Sequence, residues 1–414
     1  MENLNVLDEK TLVNPLDLTN KLRQKTVLES VKNTDWERGS DAPLVVELDP
    51  TTACNLACPD CISRDLLNQG FFSRERLIEM AEELVHAKVK AVILIGGGEP
   101  LAHPAIGDVI DYLGENGVQI GITTNGLLID RYLDPIAKYA TWVRVSMDAG
   151  TSDTFNLIRP SFSGKSEFGR AMQNIKTLSK VKNGKLGYSF MIYSDGKFDP
   201  STTPVTRKGK GGKKADEVAA ATQMAMDLLK AETGNTDFSN VGEIYQAAKL
   251  AKESGCDYFE VKPMYDIEHF GISQKEELRS LTIDQLDKCQ SLVSDTFQVL
   301  EATKLRHVLN GEAMEEPKNY NRCAVSELRT LITPSGVYVC PYFRGRGDKR
   351  LGDLRKMSLQ ELWHGEKRQK VMEKLNPEKD CRMHCIRHNT NMILEDMIKS
   401  GTSEKPIPDF DLFI

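Results

Sequence analysis

The stretch LVVELDPTTACNLACPDC, residues 44–61, decides the fold of this chain and points to its chemistry. It begins with a short apolar run, which is typical of a strand buried on both faces of a parallel sheet. Three cysteines follow with the spacing C-x3-C-x2-C: Cys54, Cys58 and Cys61. Because ligands of parallel sheets bind beyond the carboxyl ends of the strands, this order predicts a metal site in the loop after the strand.

Three thiols on one loop leave the kind of metal open. Structural zinc prefers four protein ligands, so three cysteines make an incomplete zinc site. A [4Fe–4S] cluster can be held by three cysteines if one iron stays open for another ligand. The spacing favours an iron–sulfur cluster, with zinc and unligated thiols as the alternatives.

The other cysteines fall into two groups. The chain has nine in total, and the odd count in a long chain argues against a secreted disulfide scaffold. Two stand alone and are expected to be ordinary buried thiols, Cys256 and Cys289. The other four lie in the C-terminal third, and their spacing suits zinc or a second [4Fe–4S] cluster equally well: Cys323, Cys340, Cys381 and Cys385.

Composition sets the broad class. The chain has 414 residues, of which 40% are hydrophobic and 28% charged, as in ordinary folded proteins. Its net charge of −6 argues against nucleic-acid binding, which usually shows as a basic stripe. We find neither a signal peptide nor an apolar run long enough to cross a membrane, so we expect a cytoplasmic protein without membrane partners.

Strand-like and helix-like stretches alternate along the first 300 residues, which predicts an α/β fold with a parallel sheet. Helices are predicted between the strands at 73–86, 103–116, 129–139, 166–180 and 241–254, where apolar residues recur at helical spacing. The strand candidates are LVVELD (44–49), VKAVILIG (89–96), VQIGITT (118–124), TWVRVSM (141–147), LGYSFMIY (186–193) and DYFEVKPM (257–264).

These motifs resemble the radical S-adenosylmethionine (SAM) superfamily. The resemblance rests on C-x3-C-x2-C after the first strand and GGGEP (96–100) after the second. It implies a partial (β/α)6 barrel in which the three cysteines hold a [4Fe–4S] cluster whose open iron is chelated by SAM. Reductive cleavage of SAM would then yield a 5′-deoxyadenosyl radical that abstracts hydrogen from a substrate. The family has an aromatic residue where Asp60 stands here.

The resemblance also assigns residues to SAM at the ends of the strands. Glu99 would take the ammonium group, and Arg159 could pair with the carboxylate, a surface arginine being the alternative. Glycine lets the backbone approach a ligand closely. The remaining residues assigned to SAM are Gly97, Gly98, Asn125, Ser146 and Asp148.

The C-terminal third resembles the SPASM/twitch extension of this superfamily. Cys323 precedes a predicted hairpin, LRTLIT (328–333) and VYVCPY (337–342), whose second strand carries Cys340. A predicted helix at 358–375 leads to the last C-x3-C pair. The resemblance implies one auxiliary [4Fe–4S] cluster on the four cysteines, in a smaller α+β cluster-binding domain.

The predicted organisation has four parts. A helical extension spans residues 1–42, with a helical stretch at 16–31, and the partial barrel spans 43–300. An insertion of low apolar content lies at about 195–240. The auxiliary cluster domain spans 301–390, and a tail spans 391–414.

A fully ligated auxiliary cluster has electron transfer as its natural function. We therefore expect a two-electron oxidation of a small polar substrate such as a sugar, an aminocyclitol or a similar alcohol, with a flavodoxin- or ferredoxin-type electron donor. Asp266 and His269, after the sixth strand, are the candidate bases by position. The alternatives are a peptide-modifying maturase, a redox-neutral epimerase or dehydratase, and a non-catalytic metal-binding protein. An N-terminal extension too short for a leader-binding domain argues against the maturase.

Overall fold

The parallel core of the protein follows the alternation seen in the sequence. The computed structural model describes residues 18–59, 61–193, 220, 238–264, 276–302, 305–311, 318–381, 385–401 and 405–414. Seven strands run parallel in chain order: β1 Val45–Leu48, β2 Ala91–Leu94, β3 Gln119–Thr124, β4 Ala140–Ser146, β5 Lys185–Ile192, β6 Tyr258–Pro263 and β7 Gln298–Glu301.

Three more strands extend the sheet beyond β1. They are β8 Arg329–Thr333, β9 Gly336–Tyr338 and β10 Arg350–Gly352. β8 pairs parallel with β1, and β9 and β10 continue antiparallel, which gives the order β10-β9-β8-β1-β2-β3-β4-β5-β6-β7. The C-terminal hairpin therefore shares one open sheet with the strand that precedes the three cysteines. The predicted α/β partial barrel with a C-terminal cluster-binding unit is confirmed, and β7 and β10 are strands that were not predicted from the sequence.

Helices connect the strands and cover one face of the sheet. Alternate strand residues such as Val92, Ile120, Val143 and Phe259 point into this main core. The helices are α1 Leu18–Lys21, α2 Lys25–Asn33, α3 Arg74–His86, α4 Ile106–Glu115, α5 Leu133–Tyr139, α6 Ser152–Ile158, α7 Phe168–Ser179, α8 Ile244–Glu253, α9 Glu276–Cys289, α10 Leu305–Leu309, α11 Val325–Leu328, α12 Leu359–Trp363, α13 Glu366–Lys374, α14 Pro377–Asp380 and α15 His388–Ser400.

A second core lies on the opposite face of the sheet, near the start of the strands. There Val45, Ala91 and Ile93 pack with α1, α2, α15 and the tail that ends in Phe413 and Ile414. Gln24 on the N-terminal side accepts hydrogen bonds from the backbone N–H groups of Phe410 and Asp411. The two ends of the described chain thus cover the start of the strands, at the end of the sheet away from the three cysteines.

One predicted helix is interrupted. The stretch 358–375 was expected as one helix, but α12 ends at Trp363 and α13 begins at Glu366. Gly365 between them is extended, and a Cβ there would lie 2.8 Å from the carbonyl oxygen of Glu361. The glycine thus lets the chain turn sharply, which the helical spacing of apolar residues did not reveal.

None of the helices in the described part of the chain is long and apolar enough to cross a membrane. Cys256 and Cys289 are buried in the main core, as expected. Most of the predicted insertion, residues 195–219 and 221–237, lies outside the described residues.

Candidate functional site: two cysteine clusters on one sheet

The three N-terminal cysteines lie together on the loop after β1. Each cysteine is partly buried, and the backbone N–H groups of Leu56 and Ser63 lie beside the sulfurs of Cys54 and Cys61. Burial raises the pKa of all three thiols, to about 12 for Cys58. Because neutral thiols in such a place become ligands only when a cation replaces their protons, this donor set fits a metal cluster.

The loop fits a multi-iron cluster by its donor type. Three thiols lie within eight consecutive residues, and backbone N–H groups lie beside two of the sulfurs. Within the described residues, no three His, Cys, Asp or Glu side chains converge around one point as the ligands of a single metal ion do. Asp60, which departs from the family pattern, lies outside the described residues.

The glycine loop after β2 rests directly against the cysteine loop. A Cβ at Gly98 would lie 2.3 Å from the carbonyl oxygen of Ala53, and one at Gly97 would lie 3.2 Å from the Asp49 carboxylate. The Glu99 N–H donates to the same Ala53 carbonyl at 2.8 Å. Glycine is therefore required at 98 by a close backbone approach, and this approach places Glu99 beside the three cysteines.

The Glu99 carboxylate is buried and held by three donors. The Thr124 hydroxyl donates to it at 2.7 Å, the Asn125 N–H at 2.8 Å and the Leu101 N–H at 3.1 Å. Burial raises the pKa of Glu99, while the Asn125 N–H and the other donors oppose that rise. A carboxylate has about four acceptor positions, so one remains for a further donor such as an ammonium group.

Asn125 connects this carboxylate to the cysteine loop. Its side-chain amide donates to Asn55, the residue after Cys54, at 2.6 Å, while its own oxygen accepts from the Leu127 N–H. The side chain is 6% exposed. The ends of β1, β2 and β3 are thus joined into one buried polar arrangement, although Asn125 was proposed for SAM from its position alone.

Asp148 and Arg159 form a buried ion pair beside Cys58. Asp148 has a φ of 56°, an uncommon conformation that aspartate tolerates better than most residues. Arg159 donates to its carboxylate through Nε at 3.0 Å and through Nη2, and Nη1 lies 4.0 Å from the Cys58 sulfur. Burial opposes the charge of Arg159, but the neighbouring Asp148 and Cys58 raise its pKa overall.

The structure therefore pairs Arg159 with Asp148, so it is not a surface arginine. Only Nη1, the nitrogen that faces Cys58, remains for a ligand carboxylate. Ser146 ends β4 and is half-buried beside Ser189, its partner in register on β5. Asp266 and His269 lie outside the described residues, so their roles as bases stay predictions.

Two functional features were missed from the sequence. The side chain of Asn240, the last residue of the predicted insertion, donates to the carbonyl oxygens of Asp148 and Met191, both at 2.8 Å, and so fixes the Asp148 turn. Nothing in its sequence context signals this. Arg144 on β4 donates to Glu260 on β6 at 3.2 Å, inside the barrel. The alternation of polar residues in DYFEVKPM could have revealed that Glu260 faces the barrel interior.

The four C-terminal cysteines line a single cavity. Its volume is about 40 Å³, which exceeds the roughly 10–15 Å³ that one water molecule needs. Burial raises the pKa of Cys323 to about 11 and that of Cys381 to about 12. The Ser326 hydroxyl donates to the Cys323 sulfur at 3.1 Å. The cavity and its donor set suit an auxiliary cluster held by Cys323, Cys340, Cys381 and Cys385.

Comparisons with known proteins agree with both clusters. The family model "Radical SAM superfamily" matches residues 48–199, and the model "Iron-sulfur cluster-binding domain", SPASM, matches residues 323–386. Among similar proteins is mycofactocin maturase MftC from Mycobacterium ulcerans, 27% identical over 313 residues, which cover 74% of this chain and 70% of that protein. MftC from Mycolicibacterium smegmatis is 30% identical over 314 residues, which cover 74% of this chain and 66% of that protein.

The fold is also found in a solved structure, that of Streptococcus suis SuiB bound to the precursor peptide SuiA. It matches with a TM-score of 0.55 at 15% identity, over 100% of this chain and 83% of that chain. At that identity the likeness concerns the fold alone. From the two family matches and the two cysteine sites, this chain belongs to the radical SAM superfamily and carries a SPASM-type iron–sulfur domain, with SAM and [4Fe–4S] clusters as its cofactors.

Proposed function

We propose that this protein is a peptide-modifying radical SAM maturase, which abstracts hydrogen from a residue of a precursor peptide. The observation that carries the proposal is the alignment with mycofactocin maturase MftC over 74% of this chain. The match to SuiB, solved with a precursor peptide, adds support at the level of fold. A thioether or carbon–carbon crosslink is the kind of product we expect.

The comparisons support this alternative better than the oxidation of a sugar or aminocyclitol that the cysteine count first suggested. The shortness of residues 1–42, which argued against a maturase in the sequence, is outweighed by this alignment. In the structure, α1 and α2 pack against the C-terminal tail in the second core.

The N-terminal site would hold the first cluster and SAM. When bound, the clusters and SAM supply hydrogen-atom abstraction and electron transfer, and the protein supplies binding and orientation. Cys54, Cys58 and Cys61 would ligate the cluster, and Glu99 would take the ammonium group in its remaining acceptor position. Gly97 and Gly98 keep the loop close enough for this contact.

The far side of the site would bind the rest of SAM. Asp148, 1% exposed and fixed by Asn240, would accept from the ribose, together with Ser146. Arg159 would present Nη1 to the SAM carboxylate while Asp148 holds its other edge. This arrangement holds the guanidinium in one orientation, because two of its nitrogens are already bound.

The barrel interior next to this site is polar and suits a peptide group rather than an apolar ligand. Arg144 and Glu260 form an ion pair there, and Lys262 follows two residues later on the same face of β6. Burial lowers the pKa of Lys262, and Arg144 lowers it further. Such groups can hold peptide carbonyls, amides or carboxylates by directed hydrogen bonds.

The C-terminal cysteines would hold the auxiliary cluster, which suits a reaction that removes two electrons from the substrate. An external one-electron donor of the flavodoxin or ferredoxin type would still be needed to start each turnover. The epimerase alternative that used Cys256 as hydrogen donor is disfavoured. That thiol is 4% exposed and lies before β6, at the end of the sheet away from the cysteine loop.

The test is SAM cleavage with defined substrates. The reconstituted protein, SAM and a chemical reductant would be incubated with short peptides encoded beside its gene, or with a panel of sugars and aminocyclitols. We expect a peptide to stimulate 5′-deoxyadenosine formation and to change mass by loss of hydrogen. Stimulation by a sugar or aminocyclitol, with no effect of any peptide, would reject the proposal.

A further inference from the structure

Arg344 connects the C-terminal segment that carries Cys340 to the loop that carries Cys54, Cys58 and Cys61. It is not itself a ligand candidate for either cluster. It lies four residues after Cys340, in the segment between β9 and β10, and its side chain is only 12% exposed. Its guanidinium reaches Asp49 twice, with Nη2 donating to Oδ1 at 3.0 Å and Nε 2.9 Å from Oδ2. Its third nitrogen, Nη1, donates to the Ser63 hydroxyl at 3.3 Å.

The two partners of Arg344 stand at the two ends of the cysteine loop. Asp49 follows β1, five residues before Cys54, and its carboxylate lies beside Gly97 in the loop after β2. Ser63 lies two residues after Cys61, and its N–H lies beside the sulfur of that cysteine. Both side chains are buried, Asp49 completely. One guanidinium from the C-terminal segment therefore ties the start of the loop to its finish.

A second contact between the same segments lies two residues away on β1. The Glu47 carboxylate is buried and accepts from Arg329 on β8 and from Arg387, which follows Cys385, both at 2.7 Å. Arg387 also lines the cavity of the four C-terminal cysteines. The carboxylates of Glu47 and Asp49 thus take their arginine partners from the part of the chain that carries the auxiliary site.

We propose that Arg344 is a positioning residue for the SAM-binding cluster. It holds the loop of Cys54, Cys58 and Cys61 in its working geometry only when the segment after Cys340 is folded. The planar fork of arginine is needed, because one nitrogen donates to Asp49, a second lies against the same carboxylate, and the third donates to Ser63. Lysine would keep the charge but has a single nitrogen to share between these two side chains. The inference holds whichever substrate the enzyme acts on.

The experiment uses the full chain, reconstituted anaerobically with iron and sulfide, and measures the change in the EPR spectrum of the reduced N-terminal cluster as SAM is added. The variants are R344Q and R344K. The control is R346Q, on the same segment, because Arg346 is 52% exposed and pairs with the exposed Asp348. Iron per chain is measured in parallel.

We expect R344Q to need roughly ten- to a hundredfold more SAM for half of the spectral change, the usual effect of removing a residue that orients a metal ligand. R344K should recover part of this loss, and R346Q should match the parent. Loss of the N-terminal cluster from R344Q, with the auxiliary cluster retained, would also support the proposal. A SAM response in R344Q equal to that of R346Q would reject it.

Two further variants cover the remaining outcomes. If R344Q does not fold, S63A tests the proposal instead, because it removes only the contact between Arg344 and the Ser63 hydroxyl. An unchanged SAM response in S63A would then reject the proposal. C340S tests the dependence on the C-terminal segment and should raise the SAM requirement as R344Q does. A normal SAM response in C340S would show that this dependence is wrong.

Discussion

Gly98 is the residue at which two loops come too close for any side chain. Its backbone φ is negative, so the constraint is one of space and not of conformation. A Cβ at this position would collide with the backbone of Thr52 and Ala53, which cannot move without moving the cysteine loop. The close approach sets the distance between Glu99 and the cysteines.

We therefore expect Gly98→Ala to lower the rate of SAM cleavage at least about tenfold, because small displacements in an active site have large effects on rate. The measurement is 5′-deoxyadenosine formed per minute by the reconstituted protein. Gly169→Ala is the matched control, since Gly169 is exposed in α7 and its Cβ would meet no atom within 4 Å. A G98A rate equal to that of G169A would contradict the steric argument.

The buried Asp49 carboxyl group should make the stability of the fold depend on pH. Burial raises the pKa of Asp49 from 3.8 to about 7, and Arg344 only partly offsets this. An acid whose pKa is higher in the folded state loses stability as the pH rises through that value, because the unfolded chain releases its proton more easily. Between pH 6 and pH 8 the free energy of unfolding of the wild-type protein should fall by about 1.4 kcal/mol relative to that of Asp49→Asn.

The Asp49 prediction is tested by thermal unfolding of both reconstituted proteins at pH 6 and pH 8. The difference in Tm between variant and wild type should grow in favour of the variant by about 1–2 °C. The loss of the hydrogen bond from Arg344 affects the variant at both pH values, so only the change with pH is diagnostic. A constant difference would mean that Asp49 does not titrate in this range.

A buried arginine connects α13 to α11 and α12. The Arg368 guanidinium pairs with Glu327 on α11 and lies 3.9 Å from the centre of the Trp363 ring. Both charged side chains are less than a tenth exposed. Because removal of one partner leaves the other charge buried without compensation, such pairs are costly to break.

Arg368→Ala should lower the free energy of unfolding by about 3–5 kcal/mol. For a chain of this length that corresponds to a fall in Tm of about 3–6 °C. Lys370→Ala is the control on the same helix, where the side chain is 67% exposed and pairs with an exposed Glu366. A Tm for R368A within 1 °C of that control would show that the pair contributes little.

The sequence predicted the elements with strong periodic signals and missed those fixed by long-range contacts. Six parallel strands and the C-terminal hairpin follow from apolar runs and a glycine turn. β7 was missed because its four residues, QVLE, carry too short a pattern. The pairing of β8 with β1 could not be predicted either, because it joins segments nearly 300 residues apart.

The candidate site divides in the same way. Cys54, Glu99 and Asp148 follow the carboxyl ends of strands, where parallel sheets bind ligands, so the sequence could predict them. The partners of these residues are set by packing: Asn240 and Arg344 lie far along the chain, and no local pattern marks them. Arg159 was proposed as a ligand of the SAM carboxylate, but its ion pair with Asp148 became visible only in three dimensions.

At the scale of the whole molecule, one sheet carries two sets of cysteines. The anaerobically reconstituted protein should contain about eight iron atoms per chain, as two four-iron clusters require. A variant with Cys54, Cys58 and Cys61 all changed to Ala should retain about four. Iron and sulfide analysis measures both values. About four atoms in the parent and none in the variant would mean that the C-terminal cysteines hold no iron–sulfur cluster.

The C-terminal tail contributes to the stability of the fold at a place far from the cysteine loop. Phe413 is 3% exposed and packs edge-to-face on Trp142, with the ring centres 5.3 Å apart. The neighbouring Leu412 N–H donates at 2.8 Å to the side chain of Gln119, the first residue of β3. These contacts lie at the start of the strands, whereas the cysteine loop lies beyond their carboxyl ends.

Phe413→Ala should therefore destabilise the fold by about 3–5 kcal/mol, as deletion of a buried aromatic ring does. The expected fall in Tm is about 3–6 °C. The EPR response of the N-terminal cluster to SAM should stay unchanged below the melting temperature, because Phe413 has no contact with the site in the part of the chain that the structure describes. Phe410→Ala is the control, since that ring is 41% exposed and should leave Tm within about 1 °C. A changed SAM response in F413A at an unchanged Tm would mean that the tail acts on the site and not on the fold.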